Sequence, residues 1–191
     1  MSYLVEGTTL IEPFVVDVDV DNATMPEATN LIVRRASDMR GHYADEAALE
    51  ALIAGGDPVH YEVQEKPVPS EYGHLMYCVS ILHPGRVGNE FFMTKGHYHT
   101  VLETGETYLG LKGEGYVLMK TPDGESRALP ISRGKMVYVP PYWAHRSVNT
   151  SSESLVSFCV YPGDAGHNYG DIEVEGFGRR IVLENGEVVI Q

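Results

Sequence analysis

The residues best equipped for chemistry lie close together in Gly96-His97-Tyr98-His99-Thr100-Val101-Leu102-Glu103-Thr104-Gly105-Glu106. An isolated H-x-H pair is weak evidence, and here its context carries the weight. The pair sits in a β-like run, where residues i and i+2 point to the same face, so His97 and His99 can address one ion together. A carboxylate follows, either Glu103 or Glu106. Far along the chain, His145 stands in Pro140-Pro141-Tyr142-Trp143-Ala144-His145-Arg146-Ser147-Val148-Asn149. Three imidazoles and one carboxylate suit Fe, Mn, Ni, Co or Zn and leave coordination positions open for a substrate.

The elements that must position these groups read as strands. Tyr77–Leu82, Met136–Val139 and Leu155–Tyr161 are rich in β-branched and aromatic residues. Pro122-Asp123-Gly124 separates Tyr116–Lys120 from Arg127–Leu129, and Asn185-Gly186 separates Ile181–Leu183 from Val188–Ile190. Asn-Gly tolerates the positive φ that tight hairpins need. Lys112-Gly113-Glu114-Gly115 reads as another hairpin turn, between Tyr108–Leu111 and Tyr116–Met119. Many short strands at this spacing predict a barrel or sandwich. One helix is expected, from Ala44 to Ala54: Asp45 and Glu46 complement its N-terminus, Leu49, Leu52 and Ile53 share a face, and Gly55-Gly56 ends it. Residues 1–35 read as an N-terminal arm, with its first 30 residues either a β-arm for oligomer contact or a surface wrap.

The chain has 191 residues, 43 % of them apolar and 21 % charged, which predicts one folded domain spanning 1–191. Asp plus Glu outnumber Lys plus Arg by 27 to 14, a net charge of −13. Such a field repels phosphate backbones and anionic lipid, so neither nucleic acid nor membrane is an expected partner. Glu6 interrupts the first apolar run and no basic start precedes it, so a signal peptide is not expected and a cytoplasmic setting is. Cys78 and Cys159 lie in apolar β-runs and read as reduced core residues, with one disulfide as the alternative.

The second histidine segment fits the later half of the two-part cupin signature: Gly134, then Pro140, His145 and Asn149. Tyr142 stands where that signature has glycine. In the first half, three residues separate His99 from Glu103 and six separate it from Glu106. Each glutamate has a glycine seven residues on, Gly110 or Gly113; Glu106 is preferred, because Gly113 lies in the expected hairpin turn, where the signature's last glycine belongs. More closely, RRASDMRG (34–41), DPVHYEV (57–63), HPGRVGNEFFMTKGHYH (83–99), VYVPPYWAHRSVN (137–149) and YPGDAGHNYG (161–170) resemble the cupin-type glucose-6-phosphate isomerases of archaea and some bacteria. The resemblance runs from about residue 31 to the C-terminus. It implies an all-β cupin barrel, a double-stranded β-helix with its core at about 75–165. It implies metal ligands at His97, His99, Glu106 and His145, with Fe(II) foremost among the metals. It implies a sugar-phosphate pocket from Tyr61, Ser80, Thr94, Gly96, Tyr108, Tyr161, His167 and Tyr169, with Glu106, His145 and Tyr108 acting on the substrate. A homodimer is implied as well.

Aldose–ketose isomerisation moves a hydrogen between C1 and C2, while the phosphate supplies remote binding energy. Two routes are open: proton removal by Glu106 through an enediolate, or a direct hydride shift with Glu106 as ligand or proton shuttle. A cupin dioxygenase with the same donor set, and a sugar-phosphate-binding cupin without turnover, are the competing readings. Lys95 flanks Thr94 and Gly96 without a direction that sequence defines. Arg34, Arg35 and Asp38 read as a structural ion-pair network, and His42, His60, His74 and His83 have no motif.

Overall fold

The computed structural model describes residues 10–191. In chain order the strands are β1 (Asn30–Arg35), β2 (Val59–Glu65), β3 (Leu75–Leu82), β4 (Arg86–Val87), β5 (Glu90–Phe91), β6 (Glu106–Lys112) and β7 (Glu114–Lys120). They continue as β8 (Ser126–Ser132), β9 (Met136–Val139), β10 (Ala144–Asn149), β11 (Leu155–Pro162), β12 (Ile181–Glu184) and β13 (Glu187–Ile190). Two α-helices, α1 (Glu46–Ala54) and α2 (Gly170–Glu175), and a 3-10 turn at Ala36–Met39 complete the described elements.

A six-stranded sheet runs β1-β2-β3-β11-β6-β9 and faces a three-stranded sheet β10-β7-β8, while β13-β12-β5-β4 form a smaller third sheet. Every strand pair is antiparallel. Period-two alternation then sends one set of side chains into the barrel. In β6, Glu106, Tyr108 and Gly110 are buried while Leu109 is exposed. In β11, Leu155, Ser157, Cys159 and Tyr161 are buried.

The Pro122-Asp123-Gly124 and Asn185-Gly186 turns join antiparallel neighbours, β7–β8 and β12–β13. The expected hairpin at Gly113 is corrected: β6 pairs with β11 and β9, whereas β7 pairs with β10 and β8. The chain crosses from one sheet to the other there. Gly113 turns with φ +67°, and a Cβ on it would stand 2.5 Å from the Ser154 carbonyl oxygen. Helix α1 starts two residues later than expected because Asp45 is its cap, its Oδ1 accepting from Ala48 N–H at 2.9 Å.

Helix α2 was not legible. Six residues are too few for an apolar period to register, and only Ile172 is buried in it. The expected arm also divides. Residues 1–9 lie outside the described residues. Val16, Val18, Ala23, Met25 and Ala28 pack on the outer sheet face against Val79, Leu111 and Val156. Residues 30–35 are not arm at all, since β1 is the edge strand of the large sheet.

Candidate active site

His97 and His99 sit on an extended segment after β5 that forms isolated bridges and not the regular strand expected. His97 exchanges both backbone hydrogen bonds with His145 of β10, at 3.2 and 3.0 Å. This pairing ties the two histidine segments together inside the barrel. Tyr98 does the same with Asn168, at 3.1 and 2.8 Å, and so draws His167 and Tyr169 over the cluster. Glu106 opens β6 and is buried. One ligand-type atom from each of His97, His99, Glu106 and His145 lies within 4.8 Å of the others.

The imidazoles are oriented from behind. His99 Nδ1 lies 2.8 Å from Thr104 Oγ1 and 3.1 Å from the Thr104 carbonyl. His145 Nδ1 lies 3.2 Å from the Trp143 carbonyl. A proton on Nδ1 satisfies these acceptors and leaves each Nε2 lone pair aimed at the cluster. Among the described residues, His97 Nε2 and His145 Nε2 are buried without a hydrogen-bond partner. Glu106 Oε2 is 2.9 Å from His145 Nε2 and 3.2 Å from His99 Nε2. Buried lone pairs without protein donors, converging with a carboxylate oxygen, fit a transition-metal ion.

Burial, followed by His145 and His167, holds His97 well below the ordinary imidazole range, which keeps it neutral. Burial alone would push Glu106 up, but His145, then His99 and His97, outweigh it through imidazole protons facing the carboxylate, the protons that a bound metal would displace. Burial and the neighbouring Glu106 charge hold the Tyr108 phenol protonated. Tyr61 is pushed up to about 12, chiefly by burial.

A cavity of about 140 Å³ opens on the cluster, with His97, Glu106 and His145 in its wall. Tyr61, Ser80, Thr94 and Gly96 line it on one side, and Tyr108, Tyr161, His167 and Tyr169 complete it. His167 packs its ring against His97, with centroids 4.5 Å apart, and stacks on Tyr169 at 6.0 Å. Thr94 Oγ1 accepts from Ser147 N–H at 3.1 Å, leaving its own proton to donate. Gly96 has φ +76°, and a Cβ there would meet the Phe177 ring at 2.7 Å. Glu103 is outside, exposed, with the Tyr142 hydroxyl at 3.4 Å. Tyr142 itself has φ +70°, which is why the signature has glycine at this place; its N–H donates to the Leu102 carbonyl at 2.7 Å.

The same cavity is lined by residues that sequence reasoning left out: Arg34, Glu65, Cys78, Ser147 and Cys159. Period two was the available signal. Stepping by two from Ser80 reaches Cys78, from Tyr161 reaches Cys159, and from His145 reaches Ser147. The ion-pair reading of Arg34, Arg35 and Asp38 is corrected: among the described residues these three form no ion pair, and the Arg35 guanidinium donates to the Asp57 carbonyl at 3.0 Å. Arg35 N–H bonds Asp38 Oδ2 at 2.7 Å, but Arg34 turns inward beside Tyr61, its strand partner, and meets no carboxylate within 4 Å among the described residues. Lys95 points away, its Nζ 4.0 Å from Glu173 Oε1 on α2. A larger cavity of about 450 Å³, between Arg146, Phe177 and His42, contains none of the four clustered ligands.

Facing antiparallel sheets, closed over three imidazoles and a carboxylate, define a cupin barrel whose interior has the donor set to hold a metal ion. Solved structures that are similar to it include an oxalate oxidase (TM-score 0.49, 14 % identity, 61 % of this chain and 58 % of that one). Another is a Cupin 2 conserved barrel domain protein from Salinispora arenicola (TM-score 0.38, 20 % identity, 53 % and 74 %). The sequence model of the glucose-6-phosphate isomerase (GPI) family matches residues 33–191, and the chain belongs to that family. Among curated relatives, the glucose-6-phosphate isomerase of Thermococcus litoralis is 46 % identical over 180 residues, 94 % of each chain. That of Pyrococcus abyssi is 48 % identical over 179 residues, again 94 % of each. That of Sinorhizobium medicae is 40 % identical over 181 residues, 94 % of this chain and 85 % of its own.

Proposed function

We propose that this cavity interconverts glucose 6-phosphate and fructose 6-phosphate, with a divalent transition metal, foremost Fe(II), held by His97, His99, Glu106 and His145. The observation that carries the reading is a single cavity in which that donor cluster meets a wall of hydroxyl donors and one arginine. When bound, such a metal supplies Lewis acidity to an oxygen of the reacting carbons.

The chain's own groups divide the remaining work. Thr94, Ser80 and the Gly96 backbone offer donors to the phosphate, and Tyr61 stays a protonated donor at neutral pH. Among the described residues Arg34 is the only Lys or Arg in the cavity wall, and it supplies the fixed positive charge a phosphate dianion needs. Glu106, ionised and buried in the cavity wall, is the candidate base for the enediolate route and the candidate proton shuttle for the hydride route. Tyr108 is two residues along the same strand, on the same face, and its phenol donates to a sugar hydroxyl. His167 and Tyr169 stack beside the donor cluster and offer a ring N–H and a phenol to the substrate.

The test is a coupled assay of fructose 6-phosphate turnover before and after chelation, with elemental analysis of the same samples. Expected are turnover in the loaded protein, loss on chelation and recovery with added metal. His145→Ala should lower the bound metal. Oxygen consumption without sugar turnover, or full activity in metal-free protein, would overturn the reading.

A further inference from the structure

Cys78 and Cys159 have no part in the reading above. They stand directly opposite one another on the antiparallel pair β3–β11, and both thiols are free. Side chains so opposed on one sheet face have Cβ atoms roughly 4.5–5.5 Å apart. The face is the interior one: Cys78 is 6 % exposed and Cys159 is 2 % exposed. Both line the cavity that holds His97, Glu106 and His145, and Cys159 is also opposite Tyr108 on β6. Burial, then the neighbouring Cys78, holds the Cys159 thiol well above the ordinary cysteine range. Cys159 is therefore a poor nucleophile toward oxidants that need a thiolate. What the pair offers instead is two adjacent soft sulfur donors at the floor of an open cavity.

We propose that Cys78 and Cys159 form a dithiol site for trivalent arsenic, taken up as neutral arsenous acid, within the sugar-phosphate cavity. Charge decides for this ligand over a soft divalent cation. A cation would have to expel two thiol protons from a buried pocket. Arsenous acid carries hydroxyl groups that take them up, so no ion is stranded in a low-dielectric site at any step. Two As–O bonds break and two As–S bonds form. Each thiol proton leaves with a hydroxyl group as water, two waters in all, and arsenic stays trivalent with its third hydroxyl in the cavity. The chelate then occupies the floor beside Tyr108, where the sugar would lie.

The experiment is native mass spectrometry of the metal-loaded protein after sodium arsenite, followed by washes with a monothiol and then with a small dithiol. Expected is one arsenic per chain, retained through the monothiol and removed by the dithiol. The adduct should be missing in Cys78→Ala and in Cys159→Ala, with the serine variants used where an alanine variant fails to fold. Saturating fructose 6-phosphate should slow uptake in the wild type; this last arm rests on the proposed function, whereas the adduct itself does not. An absent adduct under native conditions, or one that survives either substitution, overturns the site. Uptake at an unchanged rate beside a sugar phosphate shown to turn over overturns its place in the cavity.

Discussion

Glu103 and Glu106 are three residues apart, and only Glu106 enters the barrel. It lies within 3.2 Å of two imidazoles, while Glu103 meets only the Tyr142 hydroxyl at the surface. On the proposed function, Glu106→Gln removes a charged ligand and a base in one step, and should lower kcat by ~10²–10⁴-fold. Glu103→Gln should leave steady-state kinetics within about twofold, as expected of a solvated side chain far from the reacting atoms. The reverse ranking would require the shorter spacing in the first histidine motif. Arg34 calls for a different signature. Its charge would bind phosphate equally in substrate and transition state, so Arg34→Gln should raise KM with kcat little changed. A lost charged hydrogen bond is worth about 1.5–3 kcal/mol, or on the order of 10–100-fold, with Arg34→Lys recovering part of it. Equal KM values for wild type and Arg34→Gln would remove Arg34 from the phosphate site. Motif chemistry made the four clustered donors His97, His99, Glu106 and His145 legible in sequence. Arg34 was hidden because its neighbours Arg35 and Asp38 look like an ion-pair network, and only the inward turn of β1 separates it from them.

At the scale of elements, the crossover between β6 and β7 does more to place the site than any hairpin. It puts Glu106 and Tyr108 in the large sheet, and it sets β7 against β10, the strand that carries His145. The bend depends on Gly113, at φ +67° with the Ser154 carbonyl filling the space of a Cβ. Gly113→Ala combines a left-handed penalty of about 1–2 kcal/mol with a backbone clash, so it should cost about 2 kcal/mol or more in urea melts, with m unchanged. Gly124→Ala has φ +89° and nothing within 4 Å, and should show the conformational penalty alone. Equal losses in the two variants would mean that the close approach at Gly113 contributes nothing. The hairpins at Asp123-Gly124 and Asn185-Gly186 were readable because local turn chemistry dictates them. The crossover was not, because a glycine between two apolar strands looks the same whether the strands pair or part. Which strands meet is decided by inter-sheet packing, on which a local window is silent. The same limit hid the segment at 167–169, held over the cluster by the Tyr98–Asn168 bridge.

The whole molecule encloses uncharged histidines, and this fixes how its stability must depend on pH. His60 is fully buried, stacked on Phe92 at 3.7 Å and edge-on to Tyr43 at 5.8 Å, and neither ring nitrogen has a hydrogen-bond partner among the described residues. Burial holds its pKa down to about 4. His42 is also lowered to about 4, by burial and then by Arg146 and Lys95. In the unfolded chain both return to about 6.5. Above pH 6.5 the two states bind the same protons at these sites, and stability is independent of them. Between 6.5 and about 4 the unfolded chain binds protons that the folded one refuses, so stability falls as pH falls and levels off below about 4. For His60 alone the total is on the order of 3 kcal/mol. The three clustered imidazoles add a similar trend when a metal is present, because protons compete for the same lone pairs. The measurement therefore uses chelated protein: urea unfolding at several pH values from 8 to 4, wild type against His60→Leu. The variant loses some packing at every pH, but its stability should decline less steeply through the window, by about one proton's worth of slope. Parallel curves would show that His60 takes up its proton in the folded state and does not cause the fall in stability.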